Sequence, residues 1–192
     1  MNKLLLSCAV TLALAACGRQ STPPADQAQA PAPAPAETEP PPASATVQLA
    51  PTQGNSATGT LTLTAEGTDV VRLTGSMQGL PPNAEFGFHI HENGDCSAPD
   101  ASSAGGHFNP ANAEHGDPAG PTHHAGDMLN VKSDAQGMGT VDATASGVTL
   151  ASAQPNDVLG KAVVLHAKPD DYKTQPSGAS GDRIACGVIG GK

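Results

Sequence analysis

Apolar and polar residues alternate in short runs from about residue 46 to the end of the chain. Residues 60–64 read TLTLT, and residues 85–91 read EFGFHIH. Successive side chains of a β-strand point to opposite faces, so this alternation predicts strands with one buried face. Within 85–91, the two phenylalanines and the isoleucine would face a core, and His89 and His91 would face outward together. No segment shows a helical period over ten residues.

Eight segments carry the strand pattern, and the turn-forming residues Gly, Pro, Asn and Asp separate them. Short strands with turn residues between them predict an all-β sandwich or barrel. In chain order the segments are ATVQLA, TGTLTLTAEG, DVVRLTGSMQGL, AEFGFHIHE, DMLNVKSD, GMGTVDATASG, KAVVLHAK and RIACGVIG. The expected core includes Leu61, Leu63, Leu73, Phe88, Ile90, Val131, Val163, Leu165 and Val188.

Two long connections lack the strand pattern, residues 92–125 and residues 168–182. Loops longer than ~12–15 residues are uncommon inside a compact domain and are usually functional or disordered. The first connection holds four of the seven histidines of the chain. We therefore expect it to be functional.

The composition narrows the class of protein. A chain of 192 residues suggests one domain with appendages. Its formal net charge of −9 argues against nucleic-acid binding, which needs a basic surface.

The first 45 residues lack the strand pattern of the rest of the chain. Residues 1–16 combine an early lysine, an apolar run and small residues, the pattern of a signal peptide. The segment LAAC that ends at Cys17 resembles a bacterial lipobox, which predicts that Cys17 is lipidated; cleavage that leaves a free thiol is the alternative. Residues 17–45, rich in proline and alanine, predict a disordered tether ahead of a folded domain at 46–192.

These features predict an exported, periplasmic protein that touches the membrane through its lipid anchor only. Gly18 is not the usual residue for retention at the inner membrane, so the outer membrane is the expected site of anchoring.

All seven histidines lie between residues 89 and 166. Imidazole is the commonest protein ligand for zinc and copper. One set offers three imidazoles and a carboxylate, which suits tetrahedral zinc: His107, His115, His124 and Asp127. Another set offers imidazoles alone, which favours copper: His89, His91 and His166. His123 is left over, because its neighbour has the H-x-G-D spacing to the aspartate.

Five ordered blocks make the region 46–192 resemble the secreted bacterial copper/zinc superoxide dismutases. They are GFHIHENGDC, GGHFNP, HHAGDMLNV, VVLHAKPDDY and GDRIACGVIGG. The resemblance implies an eight-stranded antiparallel Greek-key barrel or sandwich, with one copper and one zinc ion per chain. It also implies an enzyme that converts two superoxide ions and two protons to oxygen and hydrogen peroxide by Cu(II)/Cu(I) cycling. Bacterial relatives include monomers and homodimers.

The resemblance further implies a role for each site residue. Copper would be bound by His89, His91, His107 and His166, and zinc by His107, His115, His124 and Asp127. His107 would bridge the two metals, and take up and deliver a proton during turnover. Arg183 would hold the anionic substrate beside copper, and Asp170 would hydrogen-bond His89 and His115.

Cys96 and Cys186 remain after processing. The resemblance pairs them, and disulfides persist in exported proteins, so a disulfide is expected. A thiolate ligand to copper is the alternative.

The predicted domain has 7 basic and 15 acidic side chains, so it does not attract an anion as a whole. Local attraction must come from the metals, from Arg183 and from Lys168 or Lys173.

Two other functions stay open, a copper-binding protein without turnover and a family member that has lost catalysis. A copper buffer would need neither a bridging histidine nor a separate zinc set, and both are available. An inactive member should lack a ligand, and every position is filled.

Overall fold

The structure, a computed structural model, describes residues 43–190. The predicted signal peptide, Cys17 and nearly all of the predicted tether lie outside these residues. Within them, the regular structure is β apart from one 3-10 turn at Ser102–Ala104, which confirms the all-β prediction. No helix in this part of the chain is long and apolar enough to cross a lipid bilayer.

Nine strands form a curled antiparallel sheet and a short antiparallel pair. The seven-stranded sheet has the order β5-β8-β9-β1-β2-β3-β7, and β4 pairs with β6. β1 begins two residues before the predicted start of the domain at 46. The strands are β1 Ser44–Pro51, β2 Thr58–Ala65, β3 Val70–Gln78, β4 Glu85–Phe86, β5 Phe88–His91, β6 Val131–Lys132, β7 Gly139–Ser146, β8 Ala162–His166 and β9 Arg183–Val188.

The predicted count of eight strands was wrong by one, because the segment 85–91 changes sheets at Gly87. Phe86 pairs with β6, whereas Phe88 pairs with β8. At the crossing, the Gly87 amide donates to the carbonyl oxygen of Lys168 over 2.8 Å. A Cβ at position 87 would lie 2.8 Å from the Cβ of Ser180, so the close approach requires glycine.

The core fills the concave side of the sheet. Eight of its nine predicted members are buried, as the alternation along the strands requires. Val188 is the exception and is only half-buried. It is the last residue of β9, and the core position beyond the strand is taken by Ile189, which is 1% exposed.

Two loops cover the outer face of β5, β8 and β9. The first loop is residues 92–130, and the second loop is residues 167–182. A small apolar cluster packs the first loop against these strands: Ala101, Ala104, Ala162, Val164 and Cys186. The predicted disulfide between Cys96 and Cys186 is present and fastens the same loop to β9. The outward-facing His89 and His91 are therefore 0% and 1% exposed, because the loops cover them.

Candidate metal centre

Six histidines and one aspartate meet beneath the two loops. They form two groups that share His107: a first group of His89, His91, His107 and His166, and a second group of His107, His115, His124 and Asp127. β5 and the end of β8 supply three members, and the first loop supplies the rest. In each group the candidate ligand atoms lie within 4.8 Å of one another, and every residue is buried.

Each ring of the first group other than His107 has one nitrogen fixed by a partner outside the group. His91 Nδ1 lies 3.0 Å from the carbonyl oxygen of Gly105, and His166 Nδ1 lies 3.2 Å from that of Gly181. A carbonyl oxygen only accepts, so both Nδ1 atoms carry the proton. Both Nε2 atoms are then free of hydrogen, and they lie 3.3 Å apart. This is the form in which imidazole binds a metal.

His107 can offer one nitrogen to each group. Its Nδ1 lies 2.7 Å from Asp127 Oδ1 in the second group. Its Nε2, on the other side of the ring, is buried without a hydrogen-bond partner. The ring centroid of His107 lies only 3.9 Å from that of His89. One imidazole therefore separates the two groups.

Four buried ring nitrogens among residues 43–190 have no well-aligned hydrogen-bond partner, and all belong to these groups: His89 Nδ1, His107 Nε2, His115 Nδ1 and His124 Nδ1. His115 Nδ1 and His124 Nδ1 face the Asp127 carboxylate, over 3.0 and 3.5 Å. Buried polar atoms are nearly always paired, because an unpaired one costs ~1–3 kcal/mol. Metal ions in both groups would supply the missing partners. Imidazole and carboxylate donors suit copper and zinc.

Asp170 connects the two groups. Its Oδ2 lies 2.8 Å from His89 Nε2, and its Oδ1 lies 3.0 Å from His115 Nε2. A carboxylate only accepts, so it holds a proton of each ring on Nε2, and in the neutral form of each ring Nδ1 is free to bind a metal. All of these side chains are fully buried.

Asp170 is itself held by a residue that the sequence did not single out. The Asn130 side chain donates to the Asp170 carbonyl and accepts from the Asp170 amide, each over 2.9 Å. Gly178 packs directly against the same carboxylate, with φ of +64°. A Cβ there would overlap Asp170 Oδ1. Neither residue has a metal-binding side chain, so spacing gave no signal for them.

The buried rings differ in their affinity for protons. Burial lowers the pKa of His89 to about 4, of His91 to about 2 and of His166 to about 3. Burial also opposes protonation of His115, but the carboxylates of Asp127 and Asp170 outweigh it and raise its pKa to about 9. Burial alone would raise the pKa of both carboxyls, yet hydrogen bonds hold the pKa of each well below its usual range.

A pocket leads from the surface to the first group. Its lining includes His91, His107 and His166, with Arg183 and Ser177 at its side. Arg183 is the one lysine or arginine of the described chain in this lining, and Glu92 is the one carboxylate. Lys168 and Lys173 do not line it. His123 belongs to neither group, and its Nδ1 donates to the adjacent His124 carbonyl over 2.7 Å.

Known proteins are similar to this chain in sequence. The family model described as copper/zinc superoxide dismutase (SODC) matches residues 57–189. Superoxide dismutase [Cu-Zn] 2 of Aquifex aeolicus is 50% identical over 117 residues, which is 58% of this chain and 67% of that protein. The superoxide dismutase-like protein YojM of Bacillus subtilis is 39% identical over 98% of this chain and 96% of its own length.

A solved structure agrees with the sequence comparisons. It is a double mutant of a SOD-like protein from Bacillus subtilis in which a tyrosine and a proline are replaced by histidine. It is 40% identical, has a TM-score of 0.66, and the match covers 76% of this chain and 97% of that one. The curled antiparallel sheet is therefore the Greek-key barrel that the resemblance implied.

Proposed function

From the premise that this chain belongs to the copper/zinc superoxide dismutase family, we propose which residues bind the two metals, which hold the substrate and where the protein acts. The enzyme is an oxidoreductase that converts two superoxide ions and two protons to oxygen and hydrogen peroxide. Copper and zinc are its cofactors. The relatives from Aquifex aeolicus carry the same activity in their names.

Copper binds in the first group and zinc in the second. This assignment is supported by the donor sets, because four imidazoles suit copper and three imidazoles with a carboxylate suit zinc. Bound copper supplies a one-electron redox couple, and bound zinc supplies a positive charge that does not change during turnover.

His107 is the residue on which the proposal chiefly rests. It is a member of both groups, and its Nε2 is buried without a partner while its Nδ1 faces Asp127. His107 Nε2 can therefore hold a proton beside the substrate pocket and give it to the anion that becomes hydrogen peroxide. A copper store without turnover would have no use for a ring shared in this way.

Arg183 holds superoxide in the pocket. Its Nη1 donates to the Ala101 carbonyl and its Nη2 to the Gly105 carbonyl, each over 2.6 Å. These two bonds fix the guanidinium at the side of the pocket, where its charge attracts an anion. Asp170 acts beneath the pocket by keeping the proton of His89 and of His115 on Nε2.

The test is superoxide consumption by the full chain, compared with His107→Ala and with the control His123→Ala. We expect rapid turnover with one copper and one zinc per wild-type chain. Turnover should fall at least a hundredfold, on the order of what a lost proton donor costs, in His107→Ala and stay unchanged in His123→Ala. Copper uptake without turnover in the wild type would overturn the proposal in favour of a copper store.

The enzyme acts in the periplasm as a lipoprotein. Residues 1–16 are removed as a signal peptide, Cys17 carries the lipid, and residues 17–45 tether the domain at 46–192 to the outer membrane. This proposal is supported by the LAAC segment before Gly18 and by the proline-rich composition that follows. Radiolabelled palmitate should enter the wild-type protein and not Cys17→Ala. Sedimentation of the released domain decides between monomer and homodimer.

A further inference from the structure

The backbone of His115 is held by a side chain from the other loop. Gln175 Oε1 accepts a hydrogen bond from the His115 amide over 3.0 Å. Gln175 Nε2 donates to the His115 carbonyl over 2.8 Å, with a longer contact of 3.5 Å to the Lys173 carbonyl. The side-chain amide therefore pairs with both backbone groups of His115, as a neighbouring strand would.

No other hydrogen bond within residues 43–190 involves the backbone of His115. The first loop has no regular structure around this residue, so no strand or helix holds it. Buried backbone groups need partners, and here one side chain supplies both. The position of the His115 main chain thus depends on Gln175.

Gln175 follows a turn that is held by hydrogen bonds to the side chain of Asp171. Asp171 Oδ1 accepts from the amides of Lys173 and Thr174, over 2.9 and 2.8 Å. Asp171 Oδ2 accepts from the Thr174 hydroxyl over 2.6 Å. These bonds involve no candidate metal ligand. The turn can therefore present Gln175 whether or not metal is bound.

The second loop consequently contacts both the backbone and the side chain of His115. Gln175 holds its backbone, and Asp170 contacts its ring through Nε2. With both contacts in place, His115 Nδ1 lies 3.0 Å from Asp127 Oδ2 and faces the rest of the second group. With Asp170 alone, the ring of His115 would be held while its main chain had no hydrogen bond to fix it.

We propose that Gln175 is a positioning residue for the metal centre, which sets the zinc affinity of the second group by fixing His115 before metal arrives. The proposal rests on the assignment of zinc to that group. Gln175 touches neither metal ligand atoms nor substrate, and it acts only through the main chain of His115. Gln175 joins the two loops, and the pattern of metal-binding residues in the sequence does not predict this contact.

The test compares Gln175→Met, which keeps the side-chain length without its polar atoms, with Gln154→Met. Gln154 is exposed in the segment between β7 and β8, and its side chain makes no hydrogen bond within the described residues. Zinc alone is titrated into the full metal-free chain against a competing chelator. We expect zinc to bind about tenfold more weakly to Gln175→Met, as for other residues that orient metal ligands, and unchanged to Gln154→Met.

Hydrogen exchange of the metal-free protein gives a second measurement. The His115 amide should be protected in the wild type and unprotected in Gln175→Met. In Gln175→Glu it should stay protected, because a carboxylate oxygen still accepts that bond while the donor to the carbonyl is lost. A His115 amide that exchanges freely in the wild type would overturn the inference even if a variant failed to fold.

The two proposals fail differently. If the wild type binds no zinc in the second group, the metal assignment fails, and the role of Gln175 fails with it. If the wild type binds zinc and Gln175→Met binds it equally well, the metal assignment stands and only the role of Gln175 is overturned.

Discussion

Arg183 Nη2 donates a hydrogen bond to the carbonyl oxygen of Gly105 over 2.6 Å, and the same oxygen lies 3.0 Å from His91 Nδ1. One backbone oxygen therefore orients both the cation of the pocket and a ring of the first group. Movement of the Gly105 carbonyl would displace both together. Arg183, the proposed substrate-holding residue, and the proposed copper site are thus fixed to the same point of the first loop.

Replacement of Arg183 by methionine should lower kcat/KM for superoxide about tenfold, the smaller end of what local electrostatic attraction contributes. The copper content should not change, because Arg183 is not in either ligand group. Stopped-flow decay of superoxide at low ionic strength measures the effect, and added salt should reduce it. Lys173→Met is the matched control, since Lys173 does not line the pocket and its loss should leave the rate unchanged. Equal rates for wild type and Arg183→Met would contradict the assigned role.

Replacement of Asp170 by asparagine should weaken zinc binding about 10–100-fold and alter the visible spectrum of bound copper. The asparagine oxygen can accept from one ring, but its NH₂ group would face the N–H of the other. The second ring would then turn or change its tautomer. Asp142→Asn, on the exposed face of β7, is the control. An unaltered copper spectrum in Asp170→Asn would show that His89 does not depend on this contact.

Zinc binding to the metal-free protein at pH 7 should release a proton from His115. With a pKa of about 9, His115 is protonated at that pH, and zinc requires its neutral form. Zinc affinity should therefore rise about tenfold per pH unit toward pH 9 and then level off. Burial lowers the pKa of His124 in the same group, so that ring is neutral at pH 7 and releases no proton. Copper binding should likewise release no proton from His89, His91 and His166, whose pKa values lie at about 4 or below. Calorimetry in buffers of different ionisation enthalpy counts the protons, and a count of zero at pH 7 would contradict this prediction.

Loss of the disulfide should destabilise the metal-free enzyme strongly. Cys96 and Cys186 are separated by 90 residues. In the chain-entropy account, a loop of this length contributes about 4–5 kcal/mol to the free energy of unfolding. Urea unfolding of the Cys96→Ser, Cys186→Ser double variant measures the change. Reduced wild type should unfold at the same urea concentration as the variant, whereas a midpoint equal to that of the oxidised protein would sink the prediction.

Gly178→Ala should cost both stability and zinc affinity. A left-handed conformation costs a non-glycine residue about 1 kcal/mol, and the added Cβ would also displace the carboxylate of Asp170. Gly67→Ala separates the two effects, because Gly67 has φ of +78° and nothing within 4 Å of the added Cβ. Both variants should lose stability in denaturant unfolding, but only Gly178→Ala should lose zinc affinity. Equal zinc affinities would show that Asp170 tolerates displacement.

The strand pattern predicted most of the fold. The donor types predicted both metal groups except for the sharing of His107, which only the family resemblance implied. Alternation along 85–91 predicted which side chains face the core, because that period follows directly from backbone geometry. It did not predict the sheet change at Gly87, which depends on a contact with Lys168 far along the chain. Nor did it predict that His89 is buried, since the loops that cover it have no periodic pattern.

Two residues that position the metal centre, Asn130 and Gln175, were not predicted for a different reason. Asn130 and Gln175 act through side-chain amides that pair with the main chain of another loop. Amide side chains are common on protein surfaces, and neither position has a spacing relationship to the residue that it holds. Such contacts form only when the loops fold over the barrel, so no local sequence pattern predicts them.

The course of β1 has a practical consequence. The strand starts at Ser44 and ends at Pro51, and the next residue, Thr52, donates its hydroxyl to the Arg183 carbonyl over 2.8 Å. At about 3.3 Å per residue, the start of the strand lies roughly 25 Å from Thr52, which contacts the backbone of the pocket residue Arg183. A fluorophore, affinity tag or solid support joined ahead of Ala43 is therefore attached at the far end of the barrel. An electrode or bead coated through that end should leave the pocket open to the surrounding solution.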